Sequence, residues 1–416
     1  MPGIAQDASK GSREGSRKQS RLTRGWRRAR HALSMAAAAV LLAACAGTGG
    51  PGGGDVFSSQ PAPEAAPASN IGAGQIRVGL ILPLSAQGNA GIAAQSMKNA
   101  AELALNEFKD PNIQLLVKDD TGTPQGAQLA AQQAIDEGAE LIVGPLFAQS
   151  VSAVGAVARS RNIPVIAFST DASVASRGVY LLSFLPESDV RRIVDFAASK
   201  GKRSFAAMLP DNAYGGVVEA AFQQEVARRG GRVAALEKYS NDPARIAEAA
   251  RRVASAGGTI DSVFIADGAD AVPQVVQALN AAGVNTKRVQ MLGTGLWDDP
   301  RIFSNALLEG GWYAAPESAG FRSFAGRYRA RYGNDPVRTA TLSYDAVALI
   351  AALVKTQGAQ RFSEQILTNT SGFAGIDGIF RFRTDGTSER GLSVLQVAPG
   401  GGHVVGPAPK SFTPGT

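Results

Sequence analysis

The chain of 416 residues is 44% hydrophobic and carries a formal net charge of +7, with an isoelectric point near 9.6. That length can fill more than one core, so at roughly 100 to 200 residues per domain two lobes are expected. Nine basic residues from Lys10 to Arg30, against Asp7 and Glu14, place the whole excess charge in residues 1 to 45 and leave the remainder neutral; a nucleic-acid partner, which requires a persistent basic face, is thereby excluded.

The basic stretch Arg24 to Arg30 (RGWRRAR) precedes an apolar run, Ala32 to Ala44. The run is too short to span a bilayer and has the length of a secretory signal core. It closes on Leu41, Leu42, Ala43, Ala44 and Cys45. That ending resembles a bacterial lipobox, which implies removal of residues 1–44, diacylation of Cys45 and anchoring by lipid. An ordinary signal peptide with an incidental cysteine is the alternative. Ala46 follows where inner-membrane retention would show Asp, so in a host with two membranes the resemblance implies a periplasmic protein on the outer membrane. Cys45 is the only cysteine, which rules out an internal disulfide, a CxxC redox pair and a thiolate metal site. Residues 45–75, with GTGGPGGGD and QPAPEAAPAS, are too poor in bulky apolar side chains to offset their ordering entropy and read as a tether. The glycines from Gly47 to Gly54 lack the following Gly-Lys-Ser/Thr of a phosphate loop.

From Ile76 short apolar runs alternate with amphipathic stretches, the pattern of β-α units on a parallel sheet. Strands are expected at Ile76 to Leu82, Ile113 to Lys118, Leu141 to Val143, Val165 to Ala167 and Tyr180 to Phe184. Helices are expected near Ala90 to Phe108, Gln125 to Glu137 and Ser150 to Arg161. Near-continuous apolar strands such as Val78 to Leu82 suit a sheet covered on both faces. A second run of the same architecture opens with a helix at Val190 to Lys200 and strands at Phe205 to Leu209, Val233 to Tyr239, Ser262 to Ala266 and Gln290 to Leu292. Helices near Gly216 to Arg229, Pro243 to Ala256 and Ala271 to Ala282 separate those strands. A short strand in GGWYAA, helices near Arg322 to Tyr332 and Thr339 to Thr356, and a β-hairpin of Gly378 to Arg383 with Leu392 to Val397 about the turn Asp385-Gly386 complete the fold. The expected division is lobe 1 from residues 76–184 plus about 316–365, lobe 2 from 185–315 plus about 366–398, and a disordered tail at 399–416.

The succession of VGLILPLS, LLVKDDTGTPQGAQLAAQQAIDEGAELIVGPL, NIPVIAFST and LPDNAYG resembles the type I periplasmic binding proteins of the leucine-binding family, over about Gln75 to Val397. The resemblance implies an α/β Venus flytrap, two doubly wound parallel-sheet lobes with a hinge, closing on an amino acid or similar solute for an ABC permease. The same wording with a lipobox also resembles the penicillin-binding protein activators, for which the partner is a peptidoglycan synthase.

In open α/β sheets ligands lie beyond the carboxyl ends of strands, where loops meet helix N-termini. The loop from Gly144 to Ser150 is one such place, where free helix N–H groups and the Ser150 hydroxyl can hold a carboxylate; Ser150 as a simple cap is the other reading. Ser169, Thr170 and Asp171 end the next strand, with Asp171 suited to an ammonium or to turn capping. Asp211, Asn212 and Tyr214 open a helix of the second lobe, and the resemblance implies that Tyr214 covers the ligand. Trp297 and Asp298 in GTGLWDD are placed on the other second-lobe lip, with loop packing as the alternative. Phe147, Ala148 and Gln149 stand where the family tends to carry small hydroxyl residues, which departs from a conventional amino-acid pocket.

Enzyme chemistry lacks an inventory. The histidines are His31, in the leader, and His403, in the Gly/Pro-rich tail, so a Ser-His-Asp triad, an HExxH zinc site and a histidine base are excluded from the fold. Ser199 to Lys202 matches Ser-x-x-Lys without SDN or KTG companions and reads as a helix end beside Gly201. Asp119-Asp120 and Asp298-Asp299 are adjacent in sequence and diverge rather than flank a bond. No cofactor or metal is expected, and the lipid is the expected membrane attachment.

Overall fold

The computed structural model describes residues 70–256 and 260–412. The signal peptide, Cys45 and most of the expected tether lie outside the described residues.

Lobe 1 is laid down by β1 (Ile76–Leu82), α1 (Asn89–Glu107), β2 (Ile113–Asp119), α2 (Pro124–Asp136), β3 (Leu141–Val143), α3 (Ala148–Ser160), β4 (Val165–Ala167) and β5 (Val179–Leu181). The five strands form a parallel sheet in the order β2-β1-β3-β4-β5. Alternation along β1 serves two cores: Val78, Leu80 and Leu82 face one apolar cluster with Met97, Ala101 and Leu105 of α1, whereas Ile81 faces the other with Ala127 and Ala131 of α2 and Val151 and Val154 of α3. The buried positions of α1 recur at three- and four-residue spacing, as one helical stripe must. Thr123 starts α2 by accepting from the Gly126 N–H, with Pro124 in the first turn.

Lobe 2 follows with α4 (Pro186–Ser199), β6 (Ser204–Pro210), α5 (Ala213–Arg228), β7 (Arg232–Tyr239), α6 (Pro243–Ser255), β8 (Ser262–Ile265), α7 (Val272–Ala281), β9 (Gln290–Gly293), α8 (Pro300–Phe303) and β10 (Trp312–Ala315). Alternation again divides the faces: Ala206 and Met208 of β6 pack with α6 and α7, Phe205, Ala207 and Leu209 with α4 and α5. The chain then forms α9 (Ser318–Tyr332), α10 (Ala340–Thr356), α11 (Glu364–Leu367), β11 (Phe373–Gly375), β12 (Gly378–Phe382), β13 (Ser388–Arg390), β14 (Ser393–Ala398) and β15 (Gly401–Gly406). Helix α10 and the side chains Leu367, Phe380 and Phe382 complete the lobe 1 core, so residues 366–382 pack with lobe 1 rather than with lobe 2 as expected.

Three expectations change. The turn at Asp385-Gly386 joins β12 to β13, not to the strand after Leu392; β14 pairs antiparallel with β10 and extends the lobe 2 sheet to β15-β14-β10-β9-β8-β6-β7. The reason is burial: Val394 faces one lobe 2 core and Leu395 and Val397 the other, and only a sheet covered on both faces satisfies such a strand. The expected tail contains β15 and, beyond it, Phe412, whose ring lies 4.6 Å from the Arg381 guanidinium. At the other end Ile71 exchanges backbone bonds with Leu115 on the free edge of β2, so the tether is docked before Gln75. The chain crosses between lobes after β5, after β10 and after β13. No helix among the described residues is long and apolar enough to cross a membrane.

Candidate functional site

Lobe 1 reverses its strand order between β1 and β3, and the loops at the carboxyl ends of those strands open the crevice where α/β sheets take ligands. The β3 loop is pinned from both sides: Gly144 donates to Ile166 O at 2.8 Å and Phe168 donates to Pro145 O at 3.0 Å, across a cis Gly144-Pro145 bond. Gly144 holds φ +93°, and a Cβ there would stand 2.0 Å from the Ile81 carbonyl oxygen, so only glycine fits. Helix α3 then begins after Phe147 with no side-chain cap, leaving its first N–H groups toward the crevice. Ser150 lies in that first turn; it does not cap, and its 1% exposed hydroxyl has no partner among the described residues. Ser169 is buried and accepts from the Asp171 N–H at 3.1 Å, and Thr170 is exposed. Asp171 caps the 3-10 turn Ala172–Val174 by accepting from Ser173 N at 2.9 Å while remaining exposed.

The acidic pair after β2 organises the same lip. Asp119 accepts from the N–H groups of Thr121 (2.8 Å) and Ser85 (3.3 Å), tying two loops together. Asp120 is wholly buried, accepts from Gly122 N at 2.8 Å, and is pushed up to about 6 by burial, opposed by that bond and assisted by Asp119.

The lobe 2 lip is built at the carboxyl ends of β6, β8 and β9. Asn212 caps α5 by accepting from Gly215 N at 2.9 Å, which sets Tyr214 in the first helical turn. Tyr214 is half-buried, and its hydroxyl, held well above the usual phenol range by burial, lies 3.3 Å from Thr294 Oγ1. Asp211 is exposed beside it, and Asp298 is exposed with Oδ1 accepting from Tyr313 OH at 3.1 Å. Trp297 is a correction. It is fully buried in the lobe 2 core with Nε1 donating to Ile265 O at 3.1 Å, because Gly293 leaves space for the ring: a Cβ there would sit 2.1 Å from the indole Cδ2.

Sequence reasoning missed four groups. Asp267 at the end of β8 accepts from Tyr239 OH at 2.8 Å, and Thr294 supports Tyr214. Asp189, in the first turn of α4, accepts from Gly295 N at 2.9 Å and is pushed up to about 7 by burial. Burial, with the Asp171 carboxylate adding to it, holds Glu187 above the usual range. A search for polar residues at every strand's carboxyl end would have found Asp267 and Thr294. The seryl end of α4 is a plain terminus, Ser199 Oγ donating to Phe196 O at 2.6 Å, and His403 is exposed on β15.

The periplasmic binding protein family model matches residues 75–402, most of the chain and both lobes. The chain belongs to this family. Among solved structures of periplasmic binding proteins, one described as a branched-chain amino acid ABC transporter from Rhodospirillum rubrum is 20% identical, covers 79% of this chain and 99% of its own, and has a TM-score of 0.70. The leucine binding protein of Thermotoga maritima is 18% identical, covers 82% and 99%, and has a TM-score of 0.55. A solute binding protein of an ABC transporter from Rhodopseudomonas palustris, in complex with 3,4-dihydroxybenzoic acid, is 19% identical over 82% and 99%, with a TM-score of 0.58. At these identities the likeness shows the type I periplasmic binding fold. Among curated proteins, an uncharacterized protein of Rickettsia prowazekii is 20% identical over 181 residues, 44% of this chain, and the chain spans about half, 48%, of its length.

Proposed function

We propose that this periplasmic binding protein is a non-enzymatic receptor of the cell envelope, anchored by lipid at Cys45, that closes on an amino-acid-like solute and presents it to an ABC permease. What supports the reading is the complementary chemistry at the carboxyl-end loops of the two lobes. Lobe 1 offers uncapped α3 N–H groups with the unpartnered Ser150 hydroxyl for a carboxylate, beside Ser169 and Thr170. Asp171 on lobe 1 and Asp211, Asp267 and Asp298 on lobe 2 suit an ammonium group, and Tyr214 adds an aromatic ring on lobe 2. A ligand that binds the closed form at a hundredfold over its dissociation constant raises stability by about 2.7 kcal/mol. A melting-temperature screen of amino acids, short peptides and benzoates tests this. A hit that vanishes in both Tyr214→Ala and Asp171→Ala is the expected result.

One observation favours a second reading, regulation of a peptidoglycan synthase by protein contact. Ile92 in the first turns of α1 and Phe147 before α3 on lobe 1, with Val217 in α5 and Leu296 after β9 on lobe 2, leave large apolar side chains exposed. Absence of any thermal shift together with capture of a synthase would replace the receptor reading by this one.

A further inference from the structure

The residues after β15, 407–412, belong to neither sheet, yet both of their ends are held, one on each lobe. The lobe 2 end is gripped by Arg192 of α4. Its Nη2 donates to Gly406 O at 3.1 Å and to Pro407 O at 3.0 Å, while Nε donates to Leu392 O, in the link between β13 and β14, at 2.7 Å. The Ala408 N–H then donates to Ser393 Oγ at 2.8 Å, and the same hydroxyl donates to Glu317 Oε1 at 2.7 Å. Glu317 lies in the crossing after β10 and Ser393 at the end of the crossing after β13, so the segment is bonded to two of the places where the chain passes between lobes.

The far end is seated on the lobe 1 side. Phe412 is 8% exposed, with its ring 4.6 Å from the Arg381 guanidinium and packed over Gly372, where a Cβ would meet the ring at 2.8 Å. Arg381 is itself fixed, donating to Glu389 Oε2 at 3.0 and 2.8 Å and to Thr370 O at 3.2 Å. Strand alternation puts Arg381 on the face of β12 opposite to Phe380 and Phe382, which complete the lobe 1 core. The notch that takes Phe412 is thus the outer surface of strands whose inner surface belongs to lobe 1. Between the two anchors Pro407 and Pro409 fix φ, so the segment is stiff. A short, Pro-rich segment with one large apolar side chain does not offset its ordering entropy alone, and its order depends on both seats. Rotation of one lobe about the crossings moves Arg192 relative to Gly372 and Arg381, which a stiff segment seated at both ends resists.

We propose that residues 407–412 are a strap that restrains the lobes in the arrangement seen here, and that withdrawal of Phe412 from its notch releases them. The inference rests on the lobes moving about their crossings, and its test needs no ligand, so its failure is separable from failure of the receptor reading.

The test is the distance distribution between spin labels at Ile92→Cys in α1 and Leu296→Cys after β9, both exposed, measured by electron double resonance in the full chain bearing Cys45→Ser. Ending the chain after Pro407 broadens the distribution and displaces its maximum. Phe412→Ala, which removes one ring at the far end of the segment, gives the same change. Lys410→Ala, at an exposed position of the same segment, keeps the parent distribution. A segment that only adds packing lowers the melting temperature when it is cut and leaves the distances as they were. The proposal is overturned if Phe412→Ala, with circular dichroism unchanged, keeps the parent distribution, or if Lys410→Ala broadens it equally.

Discussion

Trp297→Ala separates a core tryptophan from a ligand-stacking one. The indole fills the space over Gly293, lies beside Gly311, and donates to Ile265 O inside the lobe 2 core. Removing a buried aromatic side chain of this kind costs about 3 to 5 kcal/mol, cavity included. For a cooperative unit of lobe size, at about 2 to 4 °C per kcal/mol, melting falls by roughly 6 to 20 °C. Trp297→Phe keeps most of the apolar volume and loses the donor to Ile265 O, a smaller loss of about 1 to 3 kcal/mol. Thermal melts followed by circular dichroism read both losses, and binding of any hit from the screen, measured well below the transition, stays within a few-fold of the parent. Unchanged melting with abolished binding would refute the burial argument and return Trp297 to the cleft.

Further expectations concern the backbone, a buried acid and the anchor. Gly144→Ala forces a Cβ onto Ile81 O at a positive φ and costs at least about 1 to 3 kcal/mol in strain alone, whereas Gly216→Ala, with open space in α5, stabilises by about 0.5 to 1 kcal/mol in the same melts. Asp120 titrates about 6 when folded against 3.8 ordinarily, so the folded state holds the extra proton and stability declines as pH rises from about 4 through about 6. Asp120→Asn removes its share of that slope, leaving the shares of Asp189 and Asp345, both raised to about 7, and is the more stable protein at pH 8 by up to about 3 kcal/mol; denaturant titrations at several pH values in which the slope of the variant equals that of the parent would contradict this. Cys45→Ser is expected to release the protein from membranes in fractionation and to abolish fatty-acid labelling.

The strands and most helices were legible because burial on two faces writes a continuous apolar run and burial on one face writes a stripe: β1, β3 and β4 stand where those patterns put them. Partner choice was less legible. Leu392 to Val397 was readable as a strand, but its alternating faces look the same whether it closes a hairpin or joins the lobe 2 sheet. Among the candidate site residues, the positions of Tyr214 at a helix start and of the Ser169 to Asp171 turn follow from their places after strands. The burial of Trp297 does not, since it depends on two glycines, Gly293 before it and Gly311 after it, that make room for one ring. Arg390 is still harder to see: in the run Ser388 to Arg390 nothing local marks the arginine as buried, and it is enclosed by Phe380 on the facing strand and by Phe184, far earlier in the chain.

The central claim, that the facing lips form one ligand site, is tested most directly by calorimetric titration of the full chain with each compound that raises its melting temperature. The receptor reading predicts one-to-one binding with a negative heat-capacity change, lost in Tyr214→Ala from one lobe and in Asp171→Ala from the other. Binding that survives both substitutions, or no binding by any amino acid, short peptide or benzoate, would contradict it.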